Sequence, residues 1–201
     1  LRSHIQQRSL VSIPEGDRLA VGATPDFYRW TFASLWAPGP FETRASVAHY
    51  YITDADPSWP ADRQREHMRD CSRALLWAIS AHEAYPGHFL HFLHLRGIAS
   101  PARKSLMFAS SATVEGWAHY TEQMMVEAGF RRSDHSFKLG QLAEALIRLG
   151  RAEEAVPLVN KTRAANGQLP PVTVEGPPDV PGCVPRKLSG ACGSLWDALR
   201  Y

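Results

Sequence analysis

The sequence holds only three cysteines and no CxxC spacing, which excludes a disulfide framework and a cysteine-held zinc site. Any metal must therefore be held by histidine and carboxylate. No apolar run approaches the ~20 residues needed to span a bilayer; the stretches at 30–36 and 75–79 are the size of core segments. Net charge is scarce too. Twenty-two Lys and Arg against 20 Asp and Glu leave +2, dispersed along the chain, which excludes a nucleic-acid or anionic-membrane surface. The chain opens at Leu1 without a charged-then-apolar leader and is read as a piece of a longer protein, so nothing about export follows. Cys71 is expected to be a buried thiol, and Cys183 and Cys192 could pair in an oxidising compartment.

A chain of 201 residues, 44 % hydrophobic, can bury one full core. Residues 1–60 read as irregular, with short strands or turns around 47–52. From Pro60 the pattern becomes helical: Met68, Cys71, Leu75, Ala78 and His82 recur at steps of three and four and predict one buried face. Pro86 weakens that helix, since proline lacks the N–H that would bond back to residue 82. A second helix is predicted from Pro86 in its first turn to Leu95, stopped by Gly97. A third has Ser100 as N-cap and Pro101 at its first position, and runs to Ala128 before Gly129. A fourth, capped near Ser133 or Asp134, carries Leu139, Leu142, Leu146 and Leu149 in helical rhythm, and a fifth spans 152–165. Past Pro170 the composition turns to Pro and Gly, the mark of a loop or linker.

Six of the nine histidines lie between residues 82 and 135. The centre of interest is His82-Glu83-Ala84-Tyr85-Pro86-Gly87-His88. In the shorter HExxH motif, two histidines four apart on one helical face bind zinc and the adjacent Glu works on the bound water. Here they are six apart, which on an unbroken helix leaves them about 120° from one another. A break at Pro86-Gly87 can swing His88 back toward His82. Pro and Gly inside a helix cost roughly 3 and 1 kcal/mol against Ala, a cost easiest to explain where the geometry serves a site. The bland alternative is a helix–turn–helix junction with incidental histidines.

The third helix adds Val114-Glu115-Gly116-Trp117-Ala118-His119-Tyr120, in which Glu115, His119 and Glu122 share one stripe. Two His and one Glu, with a fourth position open for water, form a recurring catalytic zinc set. Gly116 is expected to permit close approach between helices. The competing reading is a solvated acidic stripe. On the catalytic reading, His82, His88 and Glu115 hold Zn2+ and Glu83 is general base and then general acid. Tyr120 or His119 donates to the oxyanion; alternatively His119 and Glu122 orient a ligand histidine. His91 could line the cleft, His94 is a solvated or core histidine, and Tyr85 packs the junction.

HEAYPGHFLHFLH followed by SSATVEGWAHYTEQMMVEAGF resembles the bacterial family called domain of unknown function 885, as do TPDFYRW, FASLWAPGPFE and YYITDADPSW, so the likeness covers about residues 1–149. The resemblance implies a zincin-like metallohydrolase, with His82, His88 and Glu115 as ligands and Glu83 as acid/base. It also implies a peptide-like substrate and a preceding helical region that completes the cleft, and it favours an exported or periplasmic setting. The tail, LIRLGRAEEAVPLVNKTRAANGQLPPV and CVPRKLSGACGSLWDALRY, resembles the C-terminal part of SusD/RagB-type nutrient-binding lipoproteins; the two likenesses meet inside 142–149, a chimeric junction within one helix. That tail supplies a rival reading, a non-catalytic module binding glycan or peptide. The expected fold is mainly α: a partial zincin-like helical core over 1–149, with catalytic helices over about 62–128 and an irregular N-terminal region, then a helical hairpin and Pro/Gly-rich tail over 150–201.

Overall fold

The computed structural model describes residues 1–151, Glu154, Pro157, Thr173–Glu175 and Lys187–Ser189. The described chain is mainly helical with one small sheet. In order it runs α1 (Arg2–Arg8), β1 (Leu19–Ala23), β2 (Ala33–Trp36), β3 (Ala48–Ile52), α2 (Ala61–Asp70), α3 (Arg73–Glu83), α4 (His88–Arg96), α5 (Pro101–Lys104), α6 (Ser111–Glu127) and α7 (His135–Arg148). Two three-residue strands, β4 (Thr173–Glu175) and β5 (Lys187–Ser189), pair antiparallel inside the stretch read as loop. The fifth helix, most of the Pro/Gly tail, and Cys183 and Cys192 lie outside the described residues. No helix among the described residues is long and apolar enough to cross a membrane.

The fold divides into two compact units. The first comprises residues 1–26, 33–53 and 77–132 and contains every candidate site residue. Its sheet has the order β1-β3-β2, with β1 parallel and β2 antiparallel to β3. The strand expected around 47–52 is present as β3, but α1, β1 and β2 occupy ground read as irregular. In β3, Ala48 and Tyr50 are buried and His49 is exposed, the alternation of a strand with one face inward. The Tyr50 hydroxyl lies 3.0 Å from Ser80 Oγ and ties the sheet to α3 just before the site.

The predicted third helix is not continuous. Ser105 and Ala109 are extended, and a 3-10 turn over Leu106–Phe108 separates α5 from α6. Ser100, as expected, accepts from Arg103 N–H, but Ser105 and Ser110 cap as well, toward Met107 and Thr113. Two residues read as helix interior, Ser105 and Ser110, are therefore N-caps, and serine favours that role because its hydroxyl competes for backbone N–H groups. Gly129, at φ 80°, follows α6 as anticipated.

In the second unit (27–32, 54–76 and the described residues from 133 on), the single stripe from Met68 to Leu75 is interrupted. Cys71 caps α2 and is only partly buried, Ser72 Oγ accepts from Leu75 N–H at 3.3 Å to start α3, and Met68 is exposed. Asp134 caps α7, but its buried face is Phe137, Gln141, Ala143, Glu144 and Ile147, while Leu142 and Leu149 are exposed. Glu144 can be buried there because Arg148 pairs with it at 3.6 Å, one turn on.

Tyr85 does pack at the junction, its ring edge to face with Phe89 at 5.2 Å between centroids, and it also donates a 2.6 Å hydrogen bond to Asp17 Oδ2. Arg2 grips both oxygens of the same carboxylate at 2.7 and 3.1 Å. Arg2 first, and Tyr85 after it, hold the Asp17 carboxyl below its usual range. A group depressed in the folded state stabilises above its unfolded pKa of about 3.9, and that contribution fades as pH falls through the folded value. Tyr85→Phe should therefore cost about 1.5–3 kcal/mol at pH 7, with the gap to wild type narrowing below about pH 4. Urea melts at pH 7 and pH 3 check this; equal gaps at both would refute it.

Candidate metal centre

The local chain path explains how two histidines six residues apart can meet. At the end of α3 the last regular bond is Ala84 N–H to Ser80 O, at 3.0 Å, and Tyr85 N–H doubles onto the same carbonyl. Pro86, joined to Tyr85 by a cis peptide, has no N–H to give. Gly87 N–H then reaches back 2.9 Å to Ala81 O, so the chain folds over the last turn of α3. Pro86 thus lies in this turn and not in the first turn of the next helix; α4 starts at His88, with His91 N–H bonding Gly87 O. The expected swing occurs: the His82 and His88 rings lie edge to face, with centroids 4.7 Å apart.

Helix α6 crosses this junction and meets the carbonyls that the break exposes. Trp117 Nε1–H donates to Pro86 O at 3.0 Å, and Thr121 Oγ1, whose hydrogen goes first to Ala118 O at 2.7 Å, stands 3.3 Å from Ala81 O. The pairs His82–Glu122, Pro86–Trp117 and His88–Glu115 run in opposite directions along the two segments, the antiparallel approach anticipated. Trp117 and Thr121 did not stand out in the sequence. The available signal was a tryptophan and a threonine four apart on one helical face, each with a donor that needs an acceptor once buried. Gly116 plays no part in this approach, since a Cβ added there would meet nothing within 4 Å.

His82 Nε2 and His88 Nε2 each lie 3.5 Å from Glu115 Oε2, and the three ligand atoms fall within 4.8 Å of one another. Both histidines are buried, while the Glu115 side chain is half exposed, so the cluster opens on the carboxylate side. The two imidazoles, His82 foremost, hold the Glu115 carboxyl far below the usual carboxylate range, so it is an anion with acceptor oxygens only. A second group converges beside the first: His82 Nδ1 is 2.8 Å and His119 Nδ1 3.5 Å from Glu122 Oε1.

Glu83 is half buried at the last position of α3, and its charge acts on the Tyr50 phenol, whose pKa is raised by burial first and by Glu83 after. Tyr120 is 52 % exposed, its ring 6.1 Å from that of Trp117. His91 packs between Phe92 and Trp117, with burial lowering its pKa, and His94 turns away to bond Ser12 O at 2.9 Å.

Two of the three ligand-atom separations can be compared with those of a tetrahedral zinc site. Ligands about 2.0–2.2 Å from a tetrahedral zinc stand about 3.3–3.6 Å apart, and both Nε2–Oε2 separations fall in that window. As hydrogen bonds the same contacts lie at the outer limit of useful length.

Comparisons with known proteins cover this region of the chain. Residues 2–152 match a family model described as "Bacterial protein of unknown function (DUF885)". That match ends at residue 152, so most of the tail likened to SusD-type proteins, about 142–201, lies outside it. The chain is similar to "a putative lipoprotein of unknown function" from Shewanella oneidensis, at 25 % identity and TM-score 0.60, over 84 % of this chain and 28 % of that one. A "putative lipoprotein" from Colwellia psychrerythraea shares the fold at 22 % identity and TM-score 0.52, over 81 % of this chain and 26 % of that one. The chain thus spans little more than a quarter of either. No curated protein matches it.

Proposed function

The chain belongs to the DUF885 family of bacterial proteins, and from its histidine–carboxylate cluster we propose that it carries the metal centre of a zinc-dependent hydrolase, a zincin-like metallopeptidase. One observation carries the reading: two imidazole Nε2 atoms stand at tetrahedral-edge distance from a single carboxylate oxygen. His82 and His88 would hold the ion from the buried side and Glu115 from the open side. Zinc bound there supplies a Lewis acid and a water that is nucleophilic near neutral pH.

The chain's own residues do the rest. Glu83, carried on the residue next to His82, takes a proton from the attacking water and returns it to the leaving group. That return suits an amide, whose amine departs only when protonated, and it favours a peptide over an ester. Half-exposed Tyr120 is the donor to the developing oxyanion, with His119 placed deeper beside Glu122. Both structural neighbours carry the description lipoprotein, which supports an exported setting.

The reading predicts about one zinc per wild-type chain by elemental analysis after gel filtration. His82→Ala, His88→Ala and Glu115→Ala should each bring that to background while circular dichroism stays near wild type. A wild-type chain that takes up no zinc after dialysis against the ion would remove the proposal.

A further inference from the structure

We infer that Glu122 is a positioning residue of this centre: its buried carboxylate fixes His82 in the Nδ1–H form and so aims the Nε2 lone pair at the ion. The inference rests on the metal reading above and goes beyond it by assigning what holds a ligand in its working tautomer. Glu122 is 1 % exposed, and its Oε1 lies 2.8 Å from His82 Nδ1. A carboxylate only accepts, so the nitrogen at that distance carries the hydrogen. A neutral imidazole with its hydrogen on Nδ1 has its lone pair on Nε2, the atom that faces Glu115.

A carboxylate buried for packing alone would be costly, because its desolvation is offset only by a partner of good geometry. Here the partner is a candidate ligand, and the same helix delivers Glu115 two turns earlier. His88 is held differently. Its ring stacks on Phe92 at 5.8 Å and 12°, and its Nδ1 is buried with no hydrogen-bond partner among the described residues. Of the two histidines, only His82 has a carboxylate behind it, so it is the pre-set ligand around which the other two close. His119, 3.5 Å from the same Oε1, steadies Glu122 from its solvent side.

Two measurements on the 201-residue chain test this. Long-range proton–nitrogen correlation on the 15N-labelled metal-free protein should show a hydrogen on His82 Nδ1, whether or not Nε2 is also protonated, and a hydrogen shared between the two nitrogens in Glu122→Ala. Zinc affinity by chelator competition should fall about 10–100-fold in Glu122→Ala. Glu122→Gln, close in shape and still able to offer an amide oxygen, should lose less and keep the wild-type fold, which secures the test if the alanine variant is unstable. Zinc bound equally tightly by wild type and both variants, or His82 found as the Nε2–H tautomer in the metal-free wild type, overturns the inference and leaves the metal reading standing. A wild-type chain that binds no zinc overturns both.

Discussion

Glu83→Gln is expected to keep the metal and lose the hydrolysis. The substitution changes one oxygen for an amide nitrogen on a half-buried side chain at the end of α3. The backbone that carries His82 is untouched, and Glu83 is not one of the three residues whose ligand atoms converge. Zinc should therefore remain at wild-type stoichiometry. An amide cannot accept the water's proton, so the rate should fall by about 10²–10⁴-fold, the usual share of a positioned acid/base.

The fall should appear in kcat with KM little changed, because the lost interaction belongs to the transition state. A mixed peptide library read by mass spectrometry provides the assay, with Glu115→Ala as the metal-free control. Wild-type cleavage by Glu83→Gln would take Glu83 out of the mechanism. Loss of zinc together with activity would instead mean that the change had disturbed the His82 turn. A non-catalytic binding module gives a third pattern: peptide or glycan bound, nothing cleaved by any variant, and no dependence on Glu83.

The cluster was legible in the sequence because its parts are close in sequence and chemically rare. His82, His88 and Glu115 lie within 34 positions, and Pro86-Gly87 announces a break whose direction follows from steric rules. What holds the cluster was much less legible. Asp17 reaches Tyr85 across 68 residues, with no local pattern to mark it. Helix α7 was legible from four leucines in rhythm, but its buried face was not, because the burial of Gln141 and Glu144 depends on partners that a linear reading does not supply. Ser105 and Ser110, the two serine caps between α5 and α6, were present in the sequence but were read as interior positions of one long helix. Strands β1 and β2 were missed for another reason: they are five and four residues long, and half-buried and exposed positions blur their alternation.

Gly87→Ala should be the most damaging single methyl in the protein. Gly87 has a negative φ, −70°, and the cost of a side chain there is set by what a Cβ would meet. A Cβ there would stand 1.6 Å from His82 O, 2.3 Å from His82 C and 2.5 Å from Ala81 O. All three are backbone atoms of the turn that carries His82, so no side chain can rotate aside. The chain would have to lift off α3, breaking the Gly87 N–H bond to Ala81 O and pulling Pro86 O from Trp117. The expected loss is on the order of 4 kcal/mol or more, in the range reserved for forced backbone displacement or a broken buried network. Any protein that still folds should bind zinc far more weakly, because His88 moves with the lifted segment. Gly116→Ala is the internal comparison: same methyl, next to a proposed ligand, but with open space around it and a helical position where alanine is favoured by up to about 1 kcal/mol. Denaturant melts and zinc titrations of the two variants should move in opposite directions in stability, and a Gly87→Ala chain as stable and as zinc-competent as wild type would show that the fold-over at residues 81–88 is not what brings the histidines together.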